Sequence, residues 1–334
     1  MWHIGIDLHR EFIVLAAVRD DGEVGKPVKI ACQDTNALLD AIRPLAPFRV
    51  VVEASGTYRW LYDLLRPYGT VLLAHPLRLR AMIQRRSKTD KLDAQLLANL
   101  LRINQIPLAY VPPEPYQRLR DLVRCRAKLG QDRAEAKIKL RDLLSRNNLW
   151  APYKVPFGPR GLAWFRSQDF GMVGNMLRDE LLARLEHYDR QIAIFDEQLE
   201  RCRPDFPQTQ ALADIHGIGF YSALLVVAEL GEVERFRTAR QVGAYAGLTS
   251  RVHQSGGHCY QGSITRQGSP WLRWILVEAA MKTIREDAAL KNFYQRLRKR
   301  SSAKIARVAT ARKLAEICWK RLRRWQREHA GKAA

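Results

Sequence analysis

The sequence predicts an α/β domain followed by a mainly helical remainder, and three observations predict it. Short β-rich runs alternate with amphipathic stretches as far as Pro113, and two long helical patterns come next. The last third is helical apart from a Gly-rich island between Ser255 and Gly268.

The first strand is expected at His3–Ile6, the second at Phe12–Val18 and the third at Pro27–Ala31, with Asp20-Asp21-Gly22 turning the second into the third. Two more follow at Arg49–Val52 and Thr70–Ala74, interleaved with helices at Asn36–Arg43, Tyr58–Tyr68 and Leu92–Arg102. Hairpins first and strand–helix alternation afterwards imply a mixed five-stranded sheet with helices packed on it. The prolines at 107, 112 and 113 close this domain, giving expected boundaries of 1–113, 114–205 and 206–334.

Tyr116–Leu149 and Asn175–Arg203 each read as one long helix, joined through the loop Ala151–Arg160 with its three prolines. The apolar stripe Leu181, Leu182, Leu185, Tyr188 and Ile192 on the second makes an antiparallel coiled-coil arm the expectation, serving oligomerisation ahead of nucleic-acid grip or plain spacing. Beyond it, Ile215-His216-Gly217-Ile218-Gly219 precedes an apolar helix, Phe220–Leu230; such turns expose backbone N–H groups that suit a phosphate. Helices at Pro270–Arg285, Ala288–Arg300 and Ala303–His329 complete the chain.

Charge points to the partner. The chain carries 56 Lys and Arg against 34 Asp and Glu, a net +22. Residues 1–112 hold 15 basic and 11 acidic side chains, whereas 291–334 hold 15 and 2. Such a one-sided tail repels itself unless a polyanion neutralises it, and its basic residues surround much of the helix, which favours nucleic acid over a membrane face. No apolar run is long enough to span a bilayer, and Met1 leads straight into the first strand without a signal-peptide pattern. Five scattered cysteines without C-x-x-C spacing argue against a disulfide framework and fit a cytoplasmic location.

Four carboxylates are the candidates for chemistry. Asp7 and Glu53 end apolar strands, where a buried charge is costly without a cation. Asp90 and Asp93 lie three apart at the start of a helix and share a face, with Lys88 beside them. Taken singly, each has a structural explanation as a cap, a first-turn charge or a strand end. Together, as hard oxygen ligands, they suit Mg²⁺ or Mn²⁺ and phosphoryl transfer. The eight histidines are scattered and none is assigned to a metal; no G-x-x-x-x-G-K-[ST] phosphate loop supports ATP-driven chemistry.

G-I-D at Gly5–Asp7, V-V-E-A-S-G-T-Y at Val51–Tyr58 and K-T-D-K-L-D-A at Lys88–Ala94 resemble the acidic motifs of the DEDD transposases of bacterial insertion sequences. That family includes pilin-gene invertases and bridge-RNA-guided recombinases. H-G-I-G (His216–Gly219), A-Y-A-G-L-T (Ala244–Thr249), Ser255-Gly256, I-T-R-Q-G (Ile264–Gly268) and Leu272-Arg273 resemble its C-terminal region. His216 and Ser250 stand where the family usually has Pro, and Arg266 where Lys is usual.

The resemblance implies a ribonuclease-H-like (RuvC-like) N-terminal domain, a coiled-coil helical arm and a mainly α C-terminal transposase domain. It implies Asp7, Glu53, Asp90 and Asp93 as ligands of Mg²⁺ or Mn²⁺, and Ser255 as the nucleophile forming a phosphoserine link to DNA. The partners it implies are target and donor DNA, a structured bridge RNA and further copies of the chain. Lys88, Arg266, Arg273, Arg298, Lys299 and Arg300 are the expected nucleic-acid contacts. A junction-resolving nuclease that uses the quartet alone, or a non-catalytic nucleic-acid-binding protein, is the rival expectation.

Overall fold

Alternating apolar residues build the first sheet. In the computed structural model, which describes residues 1–82, 89–255 and 258–329, β1 (Trp2–Leu8), β2 (Phe12–Arg19), β3 (Val28–Ala31), β4 (Phe48–Glu53) and β5 (Thr70–Ala74) form one sheet in the order β3-β2-β1-β4-β5. β1, β2 and β3 pair antiparallel, whereas β1–β4 and β4–β5 are parallel, so the sheet is mixed as expected. The chain divides into two units, Met1–Val111 and Pro112–Ala334.

Side chains two residues apart on a strand share a face. Ile4, Ile6, Val50 and Val52 face one core, closed by Leu38, Leu39 and Ile42 of α1 (Thr35–Ile42) and by Leu61 and Leu65 of α2 (Arg59–Leu65). Val51 and Ala74 face the other side, under Leu79 of α3 (Pro76–Met82) and Leu97 and Leu101 of α4 (Asp90–Arg102). Gly5, opposite Val51 in the register, lies directly beneath α4. A Cβ there would sit 2.1 Å from the Ala94 carbonyl oxygen and 2.5 Å from the Ala98 nitrogen. The helix rests on the strand backbone itself, which only glycine permits.

The second unit opens with α5 (Glu114–Arg146), antiparallel to α7 (Gly171–Arg201). Arg126 pairs with Asp196 at 2.8 Å and Arg133 with Asp189 at 2.6 Å, seven residues apart on both helices and running in opposite directions. Ala136, Leu140 and Leu144 of α5 meet Leu181, Leu182 and Leu185 of α7. The loop expected over Ala151–Arg160 stops short: Pro159 occupies the first turn of α6 (Pro159–Ser167), where its missing N–H costs nothing. Phe165 of α6 is fully buried in the α5–α7 core, so this segment covers the arm's apolar surface. α7 also starts four residues before Asn175, because Asn175 Oδ1 accepts from the Phe170 N–H and Asp169 Oδ1 from the Gly171 N–H.

The larger core gathers α8 (Phe220–Leu230), α9 (Ala239–Tyr245), α10 (Pro270–Thr283) and α12 (Ala303–His329) around the N-terminal part of α5. α11 (Ala288–Arg300) precedes α12, and α9 was not anticipated from the sequence. Glu229 of α8 is fully buried in this unit. It accepts two bonds from the Arg124 guanidinium at 2.7 and 3.0 Å and one from the Ser269 hydroxyl at 2.8 Å. Ser269 also caps α10 by accepting from the Leu272 N–H, so one carboxylate ties three helices together. Arg120, buried beside it, donates to the carbonyls of Ala228 and Glu229.

The Gly-rich island is an antiparallel hairpin, β6 (Ser250–Ser255) and β7 (His258–Ile264). Its base is locked. The Thr265 N–H donates to the Thr249 carbonyl at 2.8 Å and the Ser269 N–H to the Tyr245 carbonyl at 3.1 Å. Gly268 has φ +140°, and a Cβ on it would lie 2.0 Å from the Tyr245 oxygen. The A-Y-A-G-L-T and I-T-R-Q-G stretches therefore form one knot beneath the hairpin.

Candidate metal centre and nucleic-acid surfaces

Asp7 belongs to β1 itself and does not follow it, because the strand extends through Leu8. It lies two residues beyond Gly5 and shares the α4 face. Glu53 closes β4, and the register Ile6↔Val52 sets these two carboxylates on adjacent strands one step further on. Thr89 caps α4 by accepting from the Leu92 N–H, which places Asp90 and Asp93 in its first turn. Gly5 lets α4 come down on the sheet, so the acidic turn arrives over the strand that carries Asp7.

The surprise is His9, which the sequence offered no reason to assign. Its Nε2 lies 3.0 Å from Asp7 Oδ2 and 3.3 Å from Asp90 Oδ1. Among the described residues, Asp7, His9 and Asp90 are the group whose ligand atoms all lie within 4.8 Å of one another. Glu53 and Asp93 fall outside that tight trio. The His9 ring lies against Phe12, tilted by 31° with 4.6 Å between centroids, and the His9 backbone N–H donates to the Phe12 carbonyl at 2.9 Å. The β1–β2 pairing continues from Leu8↔Ile13 to the His9 N–H and Phe12 carbonyl, so the two-residue period of the strand sets His9 on the same face as Asp7.

Electrostatics support a cation here. Partial burial pushes the Asp7 carboxyl above its ordinary value, and the charges of Asp90 and Asp93 add to the rise, while His9 opposes it. A carboxylate held among like charges, with an imidazole nitrogen facing it, is a donor set that fits a divalent ion. Asp7 and Asp90 would hold that ion, with Asp93 and Glu53 on the same side of the sheet.

The other expected residues are spread through the second unit, except for Lys88, which lies outside the described residues. Ser255 is the last residue of β6, opposite His258 in the register. Arg266 is exposed with φ +54° at the foot of the hairpin. Arg273 is half-buried, and its guanidinium donates to the Ala246 carbonyl at 3.1 Å, which makes it a brace of the knot. Arg298, Lys299 and Arg300 are exposed in the last turn of α11. α12 buries Ala306, Thr310, Leu314, Cys318 and Leu322 in one stripe, leaving Lys304, Arg307, Lys320 and Arg324 to solvent. Among the described residues no helix is long and apolar enough to cross a membrane.

Two family models match the chain. A DEDD-type IS110 transposase model covers residues 4–148, and a model described as "Transposase IS116/IS110/IS902 family" covers 209–295. A Pseudomonas aeruginosa protein described as a probable family 20 transposase is 30% identical over 298 residues, spanning 85% of this chain and 87% of its own. This chain is a transposase of the IS110 family. The transposase is also similar to the transposase for insertion sequence element IS1111A of Coxiella burnetii, at 25% identity over 98% of this chain and 91% of that protein. A pilin gene-inverting protein of Moraxella bovis is 26% identical over 81% of this chain and 78% of its own. The DEDD-type match spans Asp7, Glu53, Asp90 and Asp93, while the second match spans the hairpin and its knot.

Proposed function

We propose that this transposase is the site-specific DNA recombinase of its insertion sequence, cutting and rejoining DNA through a serine-linked intermediate. The observation that carries the reading is the convergence of Asp7 and Asp90 from two separate motifs on one face of the five-stranded sheet. The Ser255 hydroxyl loses its proton and attacks a backbone phosphorus, the P–O bond to the leaving sugar oxygen breaks, and that oxygen takes up a proton in turn and leaves as a hydroxyl. Rejoining is the same displacement in reverse by a new sugar hydroxyl, which frees Ser255. A bound Mg²⁺ or Mn²⁺ supplies charge stabilisation to phosphoryl oxygens. Asp7, Glu53, Asp90 and Asp93 would hold it. The locked hairpin base positions the strand that ends in Ser255.

Target and donor DNA are selected in this reading by base pairing with a bridge RNA, the protein holding backbones through basic side chains. The seven-residue spacing of the Arg126–Asp196 and Arg133–Asp189 pairs supports a coiled-coil arm, which links copies into a homo-oligomer in the cytoplasm. The functional domains are then 1–113, 114–205 and 206–334.

A covalent protein–DNA adduct is the decisive product. Wild type incubated with a labelled element end and Mg²⁺ or Mn²⁺ should yield an adduct that survives denaturation, and Ser255→Ala should yield none. An adduct that persists in Ser255→Ala would overturn the serine assignment. Strand breaks without any adduct would favour metal-dependent hydrolysis by the carboxylates alone, a reading that the self-contained cluster in the first unit also supports.

The basic tail should report on phosphate contacts. Changing Arg298, Lys299 and Arg300 to Gln together should weaken nucleic-acid binding and flatten the plot of log K against log salt by roughly 2 to 3 units. An unchanged slope would remove these side chains from the interface.

A further inference from the structure

We propose that His9 is itself a ligand of the divalent ion, and that its imidazole nitrogen makes the centre prefer Mn²⁺ to Mg²⁺. The inference rests on the metal-site reading above and adds a nitrogen donor to it. His9 Nε2 faces two carboxylate oxygens at once, Asp7 Oδ2 at 3.0 Å and Asp90 Oδ1 at 3.3 Å. A single N–H satisfies one such oxygen well and leaves the second contact unexplained. A shared cation explains both. Donors at about 2.1 Å from an octahedral ion lie about 3.0 Å from their cis neighbours, close to the two spacings that His9 Nε2 makes with Asp7 and Asp90.

The ring is also held ready. It packs at a tilt against Phe12, and the His9 backbone N–H is bonded to the Phe12 carbonyl, while Lys29 Nζ sits 3.5 Å from the centroid of the Phe12 ring. Coordination uses the Nε2 lone pair, so the neutral ring carries its proton on Nδ1. Imidazole suits first-row transition ions, whereas Mg²⁺ takes oxygen ligands almost alone. An Asp-x-His pair reaching one ion therefore selects between the two cations, and the carboxylates alone would not.

Metal binding to the full chain tests this without any DNA chemistry. Mn²⁺ bound to wild type should show ¹⁴N coupling in pulsed electron paramagnetic resonance, and calorimetry should show tighter binding of Mn²⁺ than of Mg²⁺. In His9→Ala, and in the bulkier His9→Gln, the ¹⁴N signal should vanish. Mn²⁺ affinity should fall at least about tenfold, with Mg²⁺ affinity changing far less. Absence of ¹⁴N coupling in wild type, with Asp7→Asn still abolishing Mn²⁺ binding, would reduce His9 to a hydrogen-bond partner and overturn the inference. Mn²⁺ binding undiminished in Asp7→Asn would instead sink the metal-site reading and the inference with it.

Discussion

Replacing Asp7 by Asn should lower DNA strand cleavage by at least about 10³-fold, equivalent to ~4 kcal/mol of transition-state stabilisation, while leaving DNA binding intact. The carboxylate belongs to the cluster, 3.0 Å from His9 Nε2, and the amide keeps its shape without its charge. Stability supplies the internal control. Burial and the neighbouring Asp90 and Asp93 raise the Asp7 value in the folded protein above its ordinary 3.8. The ionised form therefore works against folding: its penalty appears as pH rises through the unfolded value and is complete above the folded one. At neutral pH and without metal, Asp7→Asn should melt no lower than wild type. A variant that loses cleavage together with several degrees of melting temperature would mean that Asp7 holds the fold and not the reaction. Cleavage at wild-type rate would remove Asp7 from the chemistry altogether.

The second large effect is expected at Gly5. The added methyl of Gly5→Ala would press on the Ala94 carbonyl oxygen at 2.1 Å and the Ala98 nitrogen at 2.5 Å, both helix backbone with no flexible end to swing aside. Either α4 lifts or the strand bends. Overpacking of this kind costs about 3 kcal/mol or more, roughly 10 °C for a unit of this size. Because α4 brings Asp90 to the strand, the same methyl should also weaken divalent-ion binding. Thermal melts and metal titration of the variant measure both. Wild-type melting and wild-type metal affinity together would show that the helix does not rest on this glycine.

Much of the first unit is legible in the sequence because β runs and amphipathic helices have short periods of their own. All five strands and three of the four helices fall where alternation and turn residues put them, and Asp7, Glu53, Asp90 and Asp93 come to one side of the sheet. What the pattern hides is tertiary. α6 lies mostly beyond the expected proline loop, in a stretch that the pattern leaves unassigned until Phe165 is buried between α5 and α7, and its entry is set by Pro159. α3 and α9 span seven residues each, too short for periodicity to stand out. His9 is hard to single out, since a histidine two residues beyond an aspartate shares its face in any strand, and it becomes part of a cluster only when α4 brings Asp90 to the same place. Arg273 has a role that the pattern does not signal: its guanidinium donates to the Ala246 carbonyl at the foot of the hairpin. Ser255, one serine among several beside glycines, stands out only through the family resemblance.

The buried carboxylate of Glu229 also constrains how this chain has been free to drift. With Arg124 or Ser269 lost, it would be left short of a partner in an apolar core, and with Glu229 lost, Arg124 would be stranded instead. Replacing the whole set by well-packed apolar residues carries no such penalty. Positions 124, 229 and 269 should therefore be inherited as a block across relatives, polar together or apolar together, although 145 residues of sequence separate the outer two.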